Sequence, residues 1–166
     1  MNINQAINFL EKQIKNPQVC LPEEIFLFAS RIMPLVNVDL LLQDEKGRTL
    51  LAWRDDQYAG TGWHIPGGII RVKERLEERL EKVAETEIGA KVKFEPKPLA
   101  INEMIFEREV LGHFISFLFK GYLPGAFLPQ NKGLKENDAG YLKWHKKCPG
   151  NLLKSHAIYK DYIDHD

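Results

Sequence analysis

The sequence predicts an α+β fold in which a mixed β-sheet forms the middle layer of an α/β/α sandwich. Two observations support this prediction. The hydrophobic patterns follow the order two helices, strands, one helix, further strands and a closing helix. The chain has 166 residues, enough for one domain with a substantial core, and it contains no internal repeat or low-complexity tract. We therefore expect a single domain over residues 1–166.

Two helices open the chain. Apolar residues recur at helical spacing in the first of them, at Ile3, Ile7, Leu10 and Ile14. This spacing predicts a helix over residues 3–15, which the pair Asn16-Pro17 ends. The acids that follow Pro22 predict a second helix, because acidic side chains are favoured at the positive end of a helix dipole. That helix should end before Pro34.

Two strands then form a predicted hairpin. The Val- and Leu-rich stretch 35–42 has the pattern of a mostly buried strand. Thr49 to Arg54 is predicted to be its partner across a turn at residues 44–47. Residues 55–62 contain Asp, Gly and Tyr, and they are predicted to form a loop.

The remaining chain predicts a helix, a group of strands and a closing helix. Apolar residues share one face from about Glu74 to Ile88, and Gly89 is a natural C-terminal stop. The later elements are predicted strands over about 91–95, 99–107 and 111–120, a loop over 124–140, a short strand over 141–144 and a closing helix over 149–163.

Composition and charge argue against several classes of protein. The net charge is zero, so no broad basic field indicates nucleic-acid binding. The N-terminus lacks the features of a signal peptide, and no apolar run approaches the roughly 20 residues of a membrane span. We therefore expect a cytoplasmic protein. Cys20 and Cys148 have no metal-binding spacing and are expected to be reduced thiols.

The most informative stretch is Pro66-Gly67-Gly68, followed by Glu74 and then Glu87. Glycines allow the backbone to approach a ligand closely. An exposed carbonyl of such a turn is a hard oxygen ligand, and a helical carboxylate can hold the same cation. Mg²⁺ prefers these oxygens and is usually bound by few carboxylates together with substrate phosphates. The stretch therefore predicts a Mg²⁺ site.

This stretch resembles the conserved box of the Nudix hydrolases. Four fixed positions of the box are matched, at Gly68, Glu74, Glu87 and Gly89. Lys82 stands where the family has Arg, and Val83 and Thr86 replace two of the usual metal-binding glutamates. Residues 83 and 87 are one turn apart on a helix, so only Glu87 is presented from that face. The resemblance therefore implies a single Mg²⁺ ion.

One Nudix branch, the GDP-mannose mannosyl hydrolases, also lacks some box glutamates. The similarity to it extends over about residues 25–163, and includes Pro34-Leu35-Val36 before Asp39 and Gly112-His113-Phe114. The resemblance implies a Nudix-like sandwich with an N-terminal helical segment over 1–33 and a catalytic core over 34–166. It also implies a homodimer, so the apolar face of helix 3–15 is either a dimer face or packs on its own domain.

The resemblance assigns roles to individual residues. The Gly67 carbonyl and the Glu87 carboxylate are expected to bind Mg²⁺, and Arg54 is expected to face the diphosphate and stabilise charge on the leaving group. The branch has a second Arg directly after Gly-Gly. Here that position is Ile69, and Arg71 can substitute because residues two apart on an extended segment face the same side.

Three further carboxylates are candidates. Asp39 lies inside an apolar strand and needs a partner, so it either orients an Arg or contacts substrate. In the branch a third metal ligand and a general-base His come from the loop before the short strand. In that loop Asp138 or Glu136 is the candidate metal ligand and base, since the loop contains no His, with His64 and His145 as more distant bases.

These features predict a Mg²⁺-dependent hydrolase of substrates linked to a nucleoside diphosphate, with a nucleotide sugar such as GDP-mannose as the first choice. One alternative is a pyrophosphohydrolase that cleaves the phosphoanhydride of nucleoside triphosphates or other diphosphates. Another is a non-catalytic nucleotide-binding module, which Val83, Thr86 and the missing loop His suggest.

Overall fold

The structure is a computed structural model, and it describes residues 1–123, 125 and 127–164. The helices are α1 (Ile3–Gln13), α2 (Glu23–Ile32), α3 (Leu76–Val83) and α4 (Lys160–Ile163). A π-helical turn (Ala84–Ile88) continues α3, and a 3₁₀ helix (Lys154–Tyr159) precedes α4. The strands are β1 (Leu35–Leu42), β2 (Thr49–Asp56), β3 (Gly60–His64), β4 (Gly67–Ile69), β5 (Lys93–Phe94), β6 (Ala100–Ile105), β7 (His113–Tyr122) and β8 (Leu142–His145).

The strands form two sheets. In the larger sheet β1 lies between β4 and β7, and β7 also pairs with β5 and β6. The β1–β7 pair is parallel and the other pairs are antiparallel, so this sheet is mixed. The smaller sheet is antiparallel, with β2 between β3 and β8. These layers confirm the predicted α+β class.

The two faces of β1 contribute to different parts of the core. Val38, Leu40 and Leu42 pack in one cluster with Leu80 and Val83 of α3. Leu41 belongs to a second cluster with Tyr159 and Ile163 from the end of the chain. Because successive side chains of a strand point to opposite faces, this alternation places helices on both sides of the sheet.

The predicted hairpin between β1 and β2 is wrong. Only one isolated bridge, Gln43 to Thr49, joins the two segments, and the strands then diverge into different sheets. The physical reason is that β4 and β7 occupy both edges of β1. The true hairpin is β2–β3, where a loop was predicted over 55–62. Its turn is tightened by hydrogen bonds from the Tyr58 and Ala59 N–H groups to Asp56.

The closing helix begins later than predicted. Residues 151–153 lie beside β3, where the Trp63 N–H donates to the Asn151 carbonyl at 3.0 Å and the Leu153 N–H donates to the Trp63 carbonyl at 2.9 Å. These bonds hold the segment extended until Lys154. In the predicted loop over 124–140, residues 124 and 126 lie outside the described residues.

The predicted helix from Glu74 to Ile88 is divided into two segments. The α-helix ends at Val83, and the π-helical turn carries the chain to Gly89, whose φ of 70° ends it as predicted. Single π-helical turns inside helices are frequent at functional sites. This turn carries Glu87, the acid that the sequence singles out.

The first helix does not bury its apolar face. No residue of α1 is buried, and Ile3 and Phe9 are 78% and 59% exposed. Packing of this helix on its own domain is therefore not observed, and the homodimer remains a prediction. No helix in the described part of the chain has the length and apolar character needed to span a membrane.

Candidate active site

A cleft of about 330 Å³ is lined by residues of both sheets, of α2 and α3, and of the π-helical and 3₁₀ segments. Five residues that the sequence predicts as site residues line it, namely Asp39, Arg54, Gly67, Arg71 and Glu87. A second cleft of about 510 Å³ shares Arg54, His64 and Glu87 with the first. The two clefts therefore meet at the predicted metal-binding acid.

Glu87 has an unusual electrostatic environment. Its side chain is only partly exposed, and burial raises the pKa of its carboxyl to about 7. The Arg54 charge and the Gly67 N–H act in the opposite direction without cancelling this effect, and Asp39 raises the pKa further. A buried acid in this state lacks full compensation for its negative charge, which is what a bound cation provides.

Gly67 presents its backbone towards the same place. The Leu40 N–H donates to the Pro66 carbonyl at 2.8 Å, and the Ile70 N–H donates to the Val36 carbonyl at 2.9 Å. Because main-chain groups alternate in direction along a strand, the N–H and carbonyl of Gly67 face away from β1. The Gly67 N–H lowers the pKa of the Glu87 carboxyl and both residues line the same cleft, so the two predicted metal-binding residues are neighbours.

Only glycine fits at position 67. A Cβ added there would lie 2.2 Å from Oδ1 of Asp39 and 2.7 Å from the Val38 carbonyl. The close approach of Asp39 thus explains the glycine, independently of any ligand.

The donor set fits Mg²⁺. Among the described residues no group of three or more His, Cys, Asp or Glu side chains is arranged to hold a metal. Mg²⁺ does not need such a cage, because it keeps several waters and takes one or two carboxylates together with phosphate oxygens. Glu87 and the Gly67 carbonyl are the residues that would hold it.

The cleft also contains arginines that can meet an anion. Arg54 Nε lies 3.2 Å from Asp56 Oδ2, and both side chains are more than a third exposed, so this ion pair is weak and exchangeable. Arg71 lines the cleft together with Ile69, as the spacing predicts, and its Nε is buried without a hydrogen-bond partner among the described residues. Both guanidinium groups are therefore available to a diphosphate.

Asp39 is held in a buried polar network. Its Oδ2 accepts hydrogen bonds from Ser116 Oγ, from Tyr159 OH at 2.5 Å and from Asn37 Nδ2 at 3.1 Å. It contacts no arginine in these bonds, so the alternative in which it orients an Arg is not observed. Asp39 lines the cleft, and its predicted role in substrate binding remains a prediction.

Glu74 is fixed by ion pairs. Its carboxylate accepts hydrogen bonds from the Arg71 N–H, from Arg79 and from Lys82, each within 2.8 Å. Burial would raise its pKa, but these bonds outweigh burial and lower it to about 2. Glu74 therefore tightens the start of α3.

Asp138 is not brought together with the other predicted site residues. It is exposed, its carboxylate accepts a hydrogen bond from the Lys135 N–H at 2.7 Å, and it lines neither cleft. Glu136 pairs with Lys143 at 2.6 Å. The turn that holds Asp138 thus accounts for its side chain, and its roles as metal ligand and base remain predictions without support from its position.

The sequence misses three contributors to the cleft. Arg108 lies between two acids, Glu107 and Glu109, which looks like a solvated turn. In the fold it donates to the carbonyls of Leu111 and Tyr58 and lies 4.8 Å from the Phe106 ring centre. The other two are His64, considered only as a distant base, and His156, which no local signal assigns. For His64 the sequence does offer a signal, since a polar residue between the apolar Trp63 and Ile65 suggests a role in a site.

Comparison with known proteins identifies the family. The NUDIX domain model matches residues 33–147. The low-salt glycan biosynthesis protein Agl8 of Haloferax volcanii is 33% identical over 85 residues, which cover 51% of this chain and 54% of Agl8. This chain thus spans about half the length of that relative.

Solved structures show the same fold. The MutT NUDIX hydrolase of Burkholderia pseudomallei has a TM-score of 0.62 and 19% identity, with 79% of this chain and 98% of that chain covered. The MutT protein of Methanosarcina mazei Go1 has a TM-score of 0.59 and 20% identity, with 80% and 95% covered. Given the family match over most of its length and the Gly67–Glu87 site in the matched region, this chain belongs to the NUDIX family of hydrolases.

Proposed function

We propose that this protein is a Mg²⁺-dependent hydrolase of nucleotide sugars, with GDP-mannose as the first candidate. The observation that carries the proposal is the cleft that Gly67, Arg54 and the incompletely compensated Glu87 carboxylate line together. Nudix hydrolases generally use a divalent metal such as Mg²⁺ and act on nucleoside diphosphate derivatives. In this chain the Glu87 carboxylate and the Gly67 carbonyl are suited to such a metal, and Arg54 is suited to a diphosphate.

Different residues of the cleft would bind the metal ion, the diphosphate and the base. Gly67 and Glu87 would hold the ion, which when bound neutralises charge on the diphosphate and its leaving group. Arg54 and Arg71 would contact the diphosphate from the protein side. Phe26, Tyr58 and Phe106 line another part of the same cleft and offer apolar surface for a flat base.

A relative and the chemistry of the cleft both support a substrate that contains a sugar. Agl8 is described as a glycan biosynthesis protein, and glycan assembly commonly uses sugars activated as nucleotides. The cleft also contains neutral polar side chains, His64 and His156, which suit hydroxyl groups better than phosphates.

A substrate screen with isotope analysis tests the proposal. The purified chain would be incubated with Mg²⁺ and a panel of nucleotide sugars, nucleoside triphosphates and dinucleoside polyphosphates, in water labelled with ¹⁸O. We expect turnover of a nucleotide sugar that Glu87→Gln abolishes and that Glu85→Gln, a change at an exposed neighbour, retains.

The products separate the remaining alternatives. Label in the released sugar supports attack on carbon, as in the GDP-mannose branch, and label in phosphate supports attack on phosphorus. Preferred turnover of triphosphates would replace the proposal by the pyrophosphohydrolase alternative. No turnover of any compound, together with binding of nucleotide, would leave the non-catalytic module.

A further inference from the structure

Two histidine rings lie side by side in the cleft and have no part in the metal and diphosphate site described above. His64 comes from the end of β3 and His156 from the 3₁₀ helix, and both line the cleft. Their ring centres are 5.6 Å apart, and the planes are tilted by 40°. Both rings bond to the backbone of one residue, Ile65, which fixes their relative position.

The bond to Ile65 determines the tautomer of His156. The Ile65 N–H donates to Nδ1 of His156 at 3.3 Å, so Nδ1 must carry a lone pair. In a neutral imidazole the proton is then on Nε2. His156 is therefore a hydrogen-bond donor through Nε2.

The tautomer of His64 is the opposite one. Its Nδ1 lies 3.3 Å from the Ile65 carbonyl oxygen, which can only accept, so Nδ1 must carry the proton. The lone pair of His64 is then on Nε2, which has no hydrogen-bond partner among the residues that the structure describes. His64 is therefore an acceptor through Nε2.

The surroundings keep both rings neutral. Burial lowers the pKa of His64 well below its usual value, and the neighbouring His156 and Arg54 act in the same direction. Burial and Arg54 also lower the pKa of His156, although Asp39 acts against them. Two neutral rings gain little from a phosphate, which prefers charged donors.

We propose that His64 and His156 form a hydroxyl-binding site, in which one oxygen donates its proton to His64 Nε2 and accepts the proton of His156 Nε2. A single oxygen can bond to two nitrogens that are up to about 6 Å apart, twice an ordinary hydrogen-bond length. The ring centres are 5.6 Å apart and both rings line the same cleft, and the bridge requires that the two Nε2 atoms face the same point of it. A hydroxyl is the neutral group that donates and accepts at once.

The hydroxyl has two sources with the same chemistry. One is a hydroxyl of the group attached to the diphosphate, and this reading rests on the proposed function. The other is the water that attacks the substrate, for which His64 Nε2 would accept the proton. The site itself is defined by the two tautomers, whichever oxygen it holds.

Nitrogen NMR of the unaltered protein tests the site directly. Long-range ¹⁵N–¹H spectra of the histidine side chains at pH 7 should show His64 protonated on Nδ1 and His156 protonated on Nε2. The same two tautomers should be present in spectra recorded without ligand and in spectra recorded with GDP-mannose. Equal tautomers for the two rings, or a doubly protonated ring at pH 7, would overturn the proposal.

Substitution distinguishes the two sources. In His64→Ala and His156→Ala, a substrate hydroxyl predicts about tenfold higher KM for GDP-mannose with an unchanged inhibition constant for GDP. An attacking water predicts a loss of kcat of at least about tenfold with both constants unchanged. His156→Gln, which retains a donor, should recover part of the loss.

The control is His113→Gln, because His113 lies outside the cleft and 3.4 Å from Glu103. Unchanged kinetics in folded His64→Ala and His156→Ala proteins would overturn the proposal. If no nucleotide sugar is hydrolysed, the proposed function fails, whereas the tautomers of the two rings still test the hydroxyl-binding site. Where a variant does not fold, the spectra of the unaltered protein give the answer.

Discussion

Glu87 of the π-helical turn and Gly67 of β4 line one cleft, where the backbone N–H of Gly67 lowers the pKa of the Glu87 carboxyl. Among the described residues Glu87 has no salt-bridge partner within 4.0 Å. Their neighbour Arg54 shares a weak pair with Asp56 and is able to turn to a substrate anion. The Glu87 carboxylate, the Arg54 guanidinium and the Gly67 carbonyl therefore line one cleft, and Glu87 and Arg54 do not form a salt bridge with each other.

Glu87→Gln should remove most of the activity. The amide is nearly the same size but cannot supply the negative charge that holds a divalent ion. We expect kcat/KM with Mg²⁺ to fall by more than about 100-fold. Glu85→Gln is the matched control, because Glu85 is exposed on the same turn, and it should change kcat/KM by less than about threefold. Equal losses in the two variants would contradict the assignment of Glu87.

Arg54→Ala should weaken transition-state binding more than it weakens the fold. Arg54 is more than a third exposed and its ion pair with Asp56 is weak, so unfolding should change by less than about 1 kcal/mol. Loss of a charged hydrogen bond to phosphate costs about 1.5–3 kcal/mol, which is roughly a 10- to 100-fold decrease in kcat/KM. Arg48→Ala is the control, since Arg48 pairs with Asp44 in a turn and does not line the cleft. A similar decrease in both variants would show a general charge effect instead.

Glu74→Gln should destabilise the fold at neutral pH and lose this effect in acid. The folded-state pKa is about 2 and the ordinary value is 4.5, so the carboxylate stabilises the folded state above pH 4.5. That stabilisation decreases as the pH falls through the range from 4.5 to about 2. At pH 7 we expect a decrease of about 2–3 kcal/mol in the free energy of unfolding, because several charged hydrogen bonds are weakened.

Urea unfolding at pH 7 and pH 2.5 measures this difference. Glu81→Gln is the control, because Glu81 is an exposed acid on the same helix. The two variants should differ clearly at pH 7 and much less at pH 2.5. A difference that stays constant over this range would mean that Glu74 stabilises the helix by a mechanism other than its charge.

The sequence predicts the parts of the site that are close together along the chain. Gly67 and Glu87 belong to one strand–helix unit, so their place in one cleft could be predicted from the motif alone, whereas their roles as metal ligands remain predictions. The β1–β2 hairpin could not be excluded, because its failure depends on β7, which follows much later and takes the edge of β1. His156 is even more distant along the chain from the motif, and the packing of the segment before it on β3 brings it to His64.

Tyr159→Phe should report on the buried network below the cleft. Tyr159 OH donates to Asp39 at 2.5 Å and lies 2.8 Å from Ser116 Oγ, and burial together with Asp39 raises the pKa of the phenol. Removal of the hydroxyl leaves Asp39 with fewer donors in a buried position, so the free energy of unfolding should fall by about 1–3 kcal/mol. Tyr162→Phe is the control on the following helix and should cost less than about 0.5 kcal/mol.

Tyr159→Phe should also affect activity, because it removes a hydrogen bond that holds Asp39 against the Gly67 backbone. Asp39 Oδ1 lies against Gly67, where an added Cβ would come within 2.2 Å of it, so a shift of Asp39 moves the backbone that faces Glu87. We expect Tyr159→Phe to raise the Mg²⁺ concentration needed for half-maximal rate by severalfold, with kcat at saturating Mg²⁺ within about threefold of the original. An unchanged Mg²⁺ requirement in a destabilised variant would show that the network supports the fold but not the metal site.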